Sequence, residues 1–197
     1  MEGVAGHRVM AVRNIVLYVQ DAALLRKKSR PIRGMSRGVR HLVQDLKDTL
    51  TYGSDGIGLA APQIGELRRV VVVRLGSRNA DEREPDPPIA LINPKIVEAG
   101  NEQRDFDGCL SFPGLYGETA RPHYLSVTGL DEWGRPFDRV FEGFDAVVVH
   151  HEIDHLDGVL FIDRVQGIED LYRVRVGEDG EPVRVPVLAM NMTLNGS

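Results

Sequence analysis

The most chemically loaded stretch of the chain is His151-Glu152-Ile153-Asp154-His155, an H-E-x-x-H pattern. Two histidines four residues apart stand one above the other on a helix, so both imidazoles can grip one metal ion. The spacing therefore demands a helix here. Glu152 follows the first histidine and can take a proton from a metal-held water without being a ligand itself. The bland alternative is a chance cluster of charges on an amphipathic surface helix. Against it, the run just before the motif, Ala146 to Val149, is strongly apolar and implies a buried face. Histidines and an acid on a buried helix need partners.

A catalytic site of the zinc type uses three protein ligands and keeps one position open. No histidine follows His155, and the zincin extension with a third histidine and Met-turn is missing, which disfavours a metalloprotease. The single cysteine, Cys109, lies in Asp107-Gly108-Cys109-Leu110-Ser111, beside a glycine that lets backbone approach closely. Its thiolate would complete a set of three, although a lone cysteine taken by itself is better explained as a small buried hydrophobe.

Asp145 is a suitable N-cap for the motif helix, and Gly158 a suitable stop after Asp157. An earlier helix starts after Ser36 and carries Val39, Leu42, Val43, Leu46 and Leu50 on one face, ending near Tyr52-Gly53. Residues 55 to 65 form a glycine-punctuated loop too apolar to serve only as a solvated connection. Strands are expected at Ile15 to Tyr18, at the valine-rich Arg69 to Leu75, and at Ile89 to Ile92, with a bend at Asn93-Pro94. Ser77 to Pro88 reads as a charged, proline-rich loop. Tyr124 to Leu130 and Arg139 to Phe141 make a hairpin through Gly134, and short strands follow Glu169 with a turn at Gly177 to Pro182. The expected fold is a single α+β domain, mixed and antiparallel strands around a central helix carrying the metal motif. Residues 1 to 14 read as a flexible N-terminal extension and 15 to 197 as the catalytic domain.

The 197 residues, 42% hydrophobic and 27% charged, suffice for one sizeable core. Apolar runs are too short for a helical membrane span, and the N-terminus lacks a secretory signal's apolar segment, so a cytoplasmic location is expected. A net charge of -5 argues against a whole-protein grip on nucleic acid. One cysteine excludes an intramolecular disulfide. A local exception in charge is Leu25 to Arg40, with seven basic residues (Arg26, Lys27, Lys28, Arg30, Arg33, Arg37, Arg40) and no acid. It reads as a solvated loop or as a patch for an RNA-rich or acidic partner.

Three stretches, Gly56-Ile57-Gly58-Leu59-Ala60-Ala61-Pro62-Gln63, Gly108-Cys109-Leu110-Ser111 and His151-Glu152-Ile153-Asp154-His155-Leu156, together resemble the three signature motifs of peptide deformylases, in order and at familiar separations. The resemblance covers about Ile15 to Val165. It implies a hydrolase that removes the formyl group from the N-terminal formyl-methionine of nascent polypeptides. It also implies a metal, usually Fe2+ with Zn2+, Ni2+ or Co2+ as substitutes, held by Cys109, His151 and His155. The metal lowers the pKa of its water toward about 7. Glu152 takes the proton, hydroxide attacks the formyl carbon, and Glu152 then protonates the leaving amine. By the same resemblance the oxyanion is met by the Gln63 side-chain amide and the Leu110 N–H, each worth roughly 3 kcal/mol of barrier. Gly56 to Gly58 would let a peptide pair as an added strand, and Ile57, Phe144, Val147 and Val148 would line a pocket for methionine.

The chain departs from the family in places. Asp55 and Asp107 stand where glutamates are usual; with Arg121 they are expected to form a buried ion network. Tyr116 replaces an entrance arginine, and His150 a glutamine. Some relatives dock on the ribosome through a basic C-terminal helix, which residues 168 to 197 do not provide; ribosome contact, if made, falls to Leu25 to Arg40. The alternatives to a deformylase are a small HExxH metallopeptidase and a catalytically silent deformylase-like binding protein.

Overall fold

The computed structural model describes residues 10–76, 86–177 and 180–188. His7 and most of the proline-rich loop, residues 77–85, lie outside them. The elements in order are α1 (Tyr18–Leu25), α2 (Arg37–Tyr52), β1 (Gly58–Ala60), β2 (Val70–Val73), β3 (Ile89–Gly108), β4 (Leu115–Leu130), β5 (Pro136–Glu142), α3 (Gly143–Leu156), β6 (Leu171–Val176) and β7 (Pro182–Pro186). All pairings between these strands are antiparallel, in the order β1-β2-β3-β4-β6-β7 with β5 on β4, and an isolated parallel bridge joins Arg30 to Arg68. Beyond its pairing with β3, β4 serves two more partners along its length: Tyr124 to Leu130 pair with β5, and Leu115 to Gly117 pair with β6. The α+β fold expected from the sequence is the fold observed.

The four consecutive valines of β2 explain the layering. Alternate side chains leave a strand on opposite faces, and here both faces are covered. Val70 and Val72 pack with Leu42, Leu46 and Leu50 of α2, whereas Val71 and Val73 pack with Ala146, Val149 and Ile153 of α3. A strand buried on both sides needs no polar alternation, hence the unbroken run. Helix α2 begins as expected, the Ser36 hydroxyl accepting a 3.3 Å bond from the Val39 N–H.

Several expectations need correction. Ile15 to Leu17 forms no ladder; it is extended chain that leads into α1 and ties two loops together, through Val16 N–H to the Gln63 carbonyl (2.7 Å) and Tyr18 N–H to the Ser111 carbonyl (2.9 Å). Ahead of it, the Ala11 and Arg13 N–H groups bond the Asp48 and Thr49 side chains of α2. The strand from Ile89 does not stop at Asn93-Pro94. Asn93 takes φ 50°, register shifts follow at Ile92/Lys95 and Ile96/Glu98, and pairing with β4 then resumes to Gly108. Glu142, not Asp145, stands at the N-cap position of α3, without a side-chain capping bond; the Asp145 carboxylate accepts the Gly76 N–H at 2.9 Å.

Candidate metal centre and active site

Helix α3 is buried without interruption from Ala146 to Leu156, although His150, His151, Glu152, Asp154 and His155 are among those residues. Val149 and Ile153 face the apolar core, so the polar side chains must find partners on the other sides of the helix. Partners for His150, His151, Asp154 and His155 come from β3, from β4 and from the loop between them, with Arg164 added at Asp154.

Cys109 sits just past the end of β3. Its Sγ lies 3.2 Å from His155 Nε2, and the ligand atoms of Cys109, His151 and His155 all fall within 4.8 Å of one another. A thiolate and two imidazoles at this separation fit a single divalent ion in a three-ligand site. The two imidazoles meet edge to face, with centroids 4.9 Å apart. The far nitrogen of His151, Nδ1, donates to Asp107 Oδ1 at 2.8 Å, which turns Nε2 toward the thiol. His155 Nδ1 is buried and has no partner among the described residues.

Arg121, 1% exposed, is the hub of the expected ion network. It donates through Nε to Asp107 (2.8 Å) and through Nη1 to Asp154 (2.9 Å), and Nη1 also reaches His150 Nδ1 at 2.7 Å. Asp55 is not part of it. That residue is exposed on the loop before β1, and Asp154, three positions beyond His151 on α3, supplies the second buried carboxylate. Asp154 is also held by Arg164 at 2.8 Å.

The electrostatics follow from this wiring. Burial alone would raise Asp107, but His151 and Arg121 outweigh it and hold its carboxyl well below the usual range. Burial alone would lower His151, yet Asp107 and Cys109 push it well above an ordinary imidazole. His155, buried beside that cation, is driven well below. His150 falls to about 4, chiefly by burial, so it accepts from Arg121 as a neutral ring. Glu152 is pushed up to about 7 by its complete burial, with His151 pulling the other way.

Gln63 lies in a 3-10 turn, Ala61–Ile64, closed by Gly65 at φ 84°. Its Oε1 accepts the Ala60 N–H (2.8 Å), leaving Nε2 directed at Cys109 Sγ (3.4 Å) and Ser111 Oγ (3.3 Å). A cavity of about 560 Å³ opens beside these groups. Ile57, Gly58, Phe144, Val147 and Val148 all line it, as do Gln63, Cys109, Leu110, His151 and Glu152. Phe106 and Tyr116 also line it, their rings stacked 5.4 Å apart. Phe106 escaped the sequence reading, and the available clue was its place two residues before Gly108, hence on the same strand face. His41 and His123 are exposed.

Residues 12–170 match the family model described as polypeptide deformylase. The peptide deformylase of Thermomicrobium roseum is 45% identical over 157 residues, 80% of this chain and 88% of that protein. Peptide deformylase 1 of Bacillus subtilis is 40% identical over 156 residues, 79% and 91%. Among solved structures, the peptide deformylase of Legionella pneumophila superposes with a TM-score of 0.70 at 36% identity, covering 80% of this chain and 88% of that one. The Met-Ala-Ser-bound class I type b peptide deformylase of Acinetobacter baumannii gives 0.71 at 29% identity, covering 80% and 100%. With matches spanning the core, the loops and the helix described above, the chain belongs to the polypeptide deformylase family, metal-dependent enzymes that remove the formyl group from peptide N-termini.

Proposed function

We propose that the chain acts on N-formyl-methionyl ends of nascent polypeptides in the cytoplasm, with residues 15–197 as the catalytic domain and Cys109, His151 and His155 holding Fe2+. Zn2+, Ni2+ or Co2+ would be substitutes, since thiolate and imidazole suit all of them. A divalent ion in this site supplies Lewis acidity, making a coordinated water acidic at neutral pH.

The chain's own groups do the rest. The Glu152 carboxylate takes the proton of the attacking water and passes it to the nitrogen that leaves with the peptide. Gln63 Nε2 and the Leu110 N–H donate to the oxygen of the formyl carbon as it becomes anionic. Gly58 offers backbone to the peptide, and Ile57, Phe144, Val147 and Val148 receive the methionine side chain, whose flexibility suits an irregular apolar pocket. Met-Ala-Ser on the Acinetobacter baumannii relative supports this reading, because that tripeptide is what formyl-Met-Ala-Ser becomes once formate has left. Ribosome contact is assigned to Leu25 to Arg40, whose seven basic side chains are all exposed.

The observation that carries the proposal is the convergence of Cys109, His151 and His155 within 4.8 Å, with the Gln63 amide 3.4 Å from the thiol. A metallopeptidase or a silent binding protein has no comparable support. The test is formate release from formyl-Met peptides by Fe2+- or Ni2+-loaded protein, beside Glu152→Ala and an unformylated peptide. Activity confined to the parent and the formylated peptide is expected; absence of formate would reject the proposal.

A further inference from the structure

The hairpin of β6 and β7 lies beyond the residues matched by the family, yet it packs against Phe106 and pairs with Tyr116, two residues that line the catalytic cavity. β6 pairs with the start of β4, placing Tyr172 opposite Tyr116, and β7 places Arg184 opposite Val174. Alternation along each strand then sets Phe106, Tyr116, Tyr172 and Arg184 on one face of the sheet. The contacts agree. Phe106 stacks on Tyr116 at 5.4 Å, Tyr172 meets Phe106 at 6.0 Å, and the Arg184 guanidinium carbon lies 3.8 Å from the centroid of the Phe106 ring.

This row begins at the chemistry. A side chain on Gly108, the neighbour of Cys109, would collide with the Tyr116 ring, so that ring lies directly over the backbone beside the thiol. Phe106 is the next step outward and Arg184 the next. These two steps, 5.4 Å from ring to ring and 3.8 Å from ring to guanidinium, correspond to two or three residues of extended peptide at roughly 3.3–3.6 Å each. Arg184 is exposed and pairs with no carboxylate among the described residues. Fixed over an aromatic face, the guanidinium is held in place while its outward N–H groups stay open.

Resting on the deformylase reading, we propose that Arg184 is a specificity-determining residue of the entrance, favouring formylated peptides with a carboxylate side chain at the second or third residue. The aromatic row takes the place of the entrance arginine that Tyr116 replaces, with the cation supplied from the C-terminal hairpin.

The test compares kcat/KM for formyl-Met tripeptides and tetrapeptides carrying Asp, Ala or Lys at positions two and three. The parent should prefer Asp over Lys by about three- to fivefold at low ionic strength, the range of an exposed ion pair, with the gap in KM and narrowing as salt is added. Arg184→Gln should level the series and Arg184→Glu invert it. Arg175→Glu, on the opposite face of the same hairpin, should leave the parent's order intact. An Asp:Lys ratio that is the same in the parent, Arg184→Gln and Arg184→Glu would overturn the inference while leaving the deformylase reading standing. Formate from none of the peptides with the parent would overturn both.

Discussion

A side-chain carbon placed on Gly58 would fall 2.7 Å from the carboxyl carbon of Glu152 and 2.8 Å from its Cγ. Gly58 opens β1 and Glu152 lies on α3, so the glycine is the space into which the acid fits. The sequence reading gave Gly58 only the role of pairing with substrate. The structure adds a steric one, because Glu152 is buried and its carboxyl fills the space a side chain on Gly58 would take. Gly58→Ala should therefore displace the carboxylate and lower kcat at least about tenfold, a fraction of what proton transfer contributes. Metal content, measured on the purified variant, should stay at the parent level, since no ligand moves. Unchanged kcat would show that Glu152 has room the packing denies it.

Gln63→Leu separates the amide's chemistry from its architecture. The parent amide accepts from Ala60 and directs its N–H groups toward Cys109 and Ser111. Loss of one fixed donor to a developing oxyanion costs about a hundredfold or more in kcat. KM should change little, because the donor acts mainly as charge develops. A fall in kcat/KM carried wholly by KM would place Gln63 in substrate binding instead.

Arg121→Ala would leave Asp107 with His151 and Asp154 with Arg164, each buried carboxylate short of its shared guanidinium. Breaking a buried pair costs about 3–5 kcal/mol, the more so here because two carboxylates lose one partner. Urea unfolding should show that loss, and weaker metal retention should accompany it, because Asp107 orients His151. Equal stability of the variant and the parent would show that the network is not structural.

Acid should act through Asp163. Burial raises its pKa, but hydrogen bonds from Arg26 and the Leu160 N–H outweigh that and hold the carboxyl below its ordinary 3.8. With a folded-state value below the unfolded one, its contribution is present above about pH 4 and is lost as pH falls through the depressed value. Asp163→Asn should thus lower Tm at pH 7, and the difference from the parent should shrink as pH falls below about 4. A constant difference across that window would mean that the carboxylate's charge is not what stabilises the contact.

What the sequence alone determined is local. Helix periodicity places His151 and His155 together whatever surrounds them, and the Ser36 cap and the valine run report on their immediate backbone. These features depend on a few neighbouring residues. The long polar ladder from Lys95 to Gly108 was not legible, because its strand character comes from partners on β4 and is interrupted by a bulge. The same limit applies to the choice of partners in the site. Only the tertiary structure brings Cys109 to 3.2 Å from a histidine 46 residues away, and only it selects Asp154 rather than Asp55 to neutralise Arg121. A charge buried at 1% exposure must be paired with whichever carboxylate the packing delivers. Packing is decided by the contact of distant surfaces, which no spacing along the chain records.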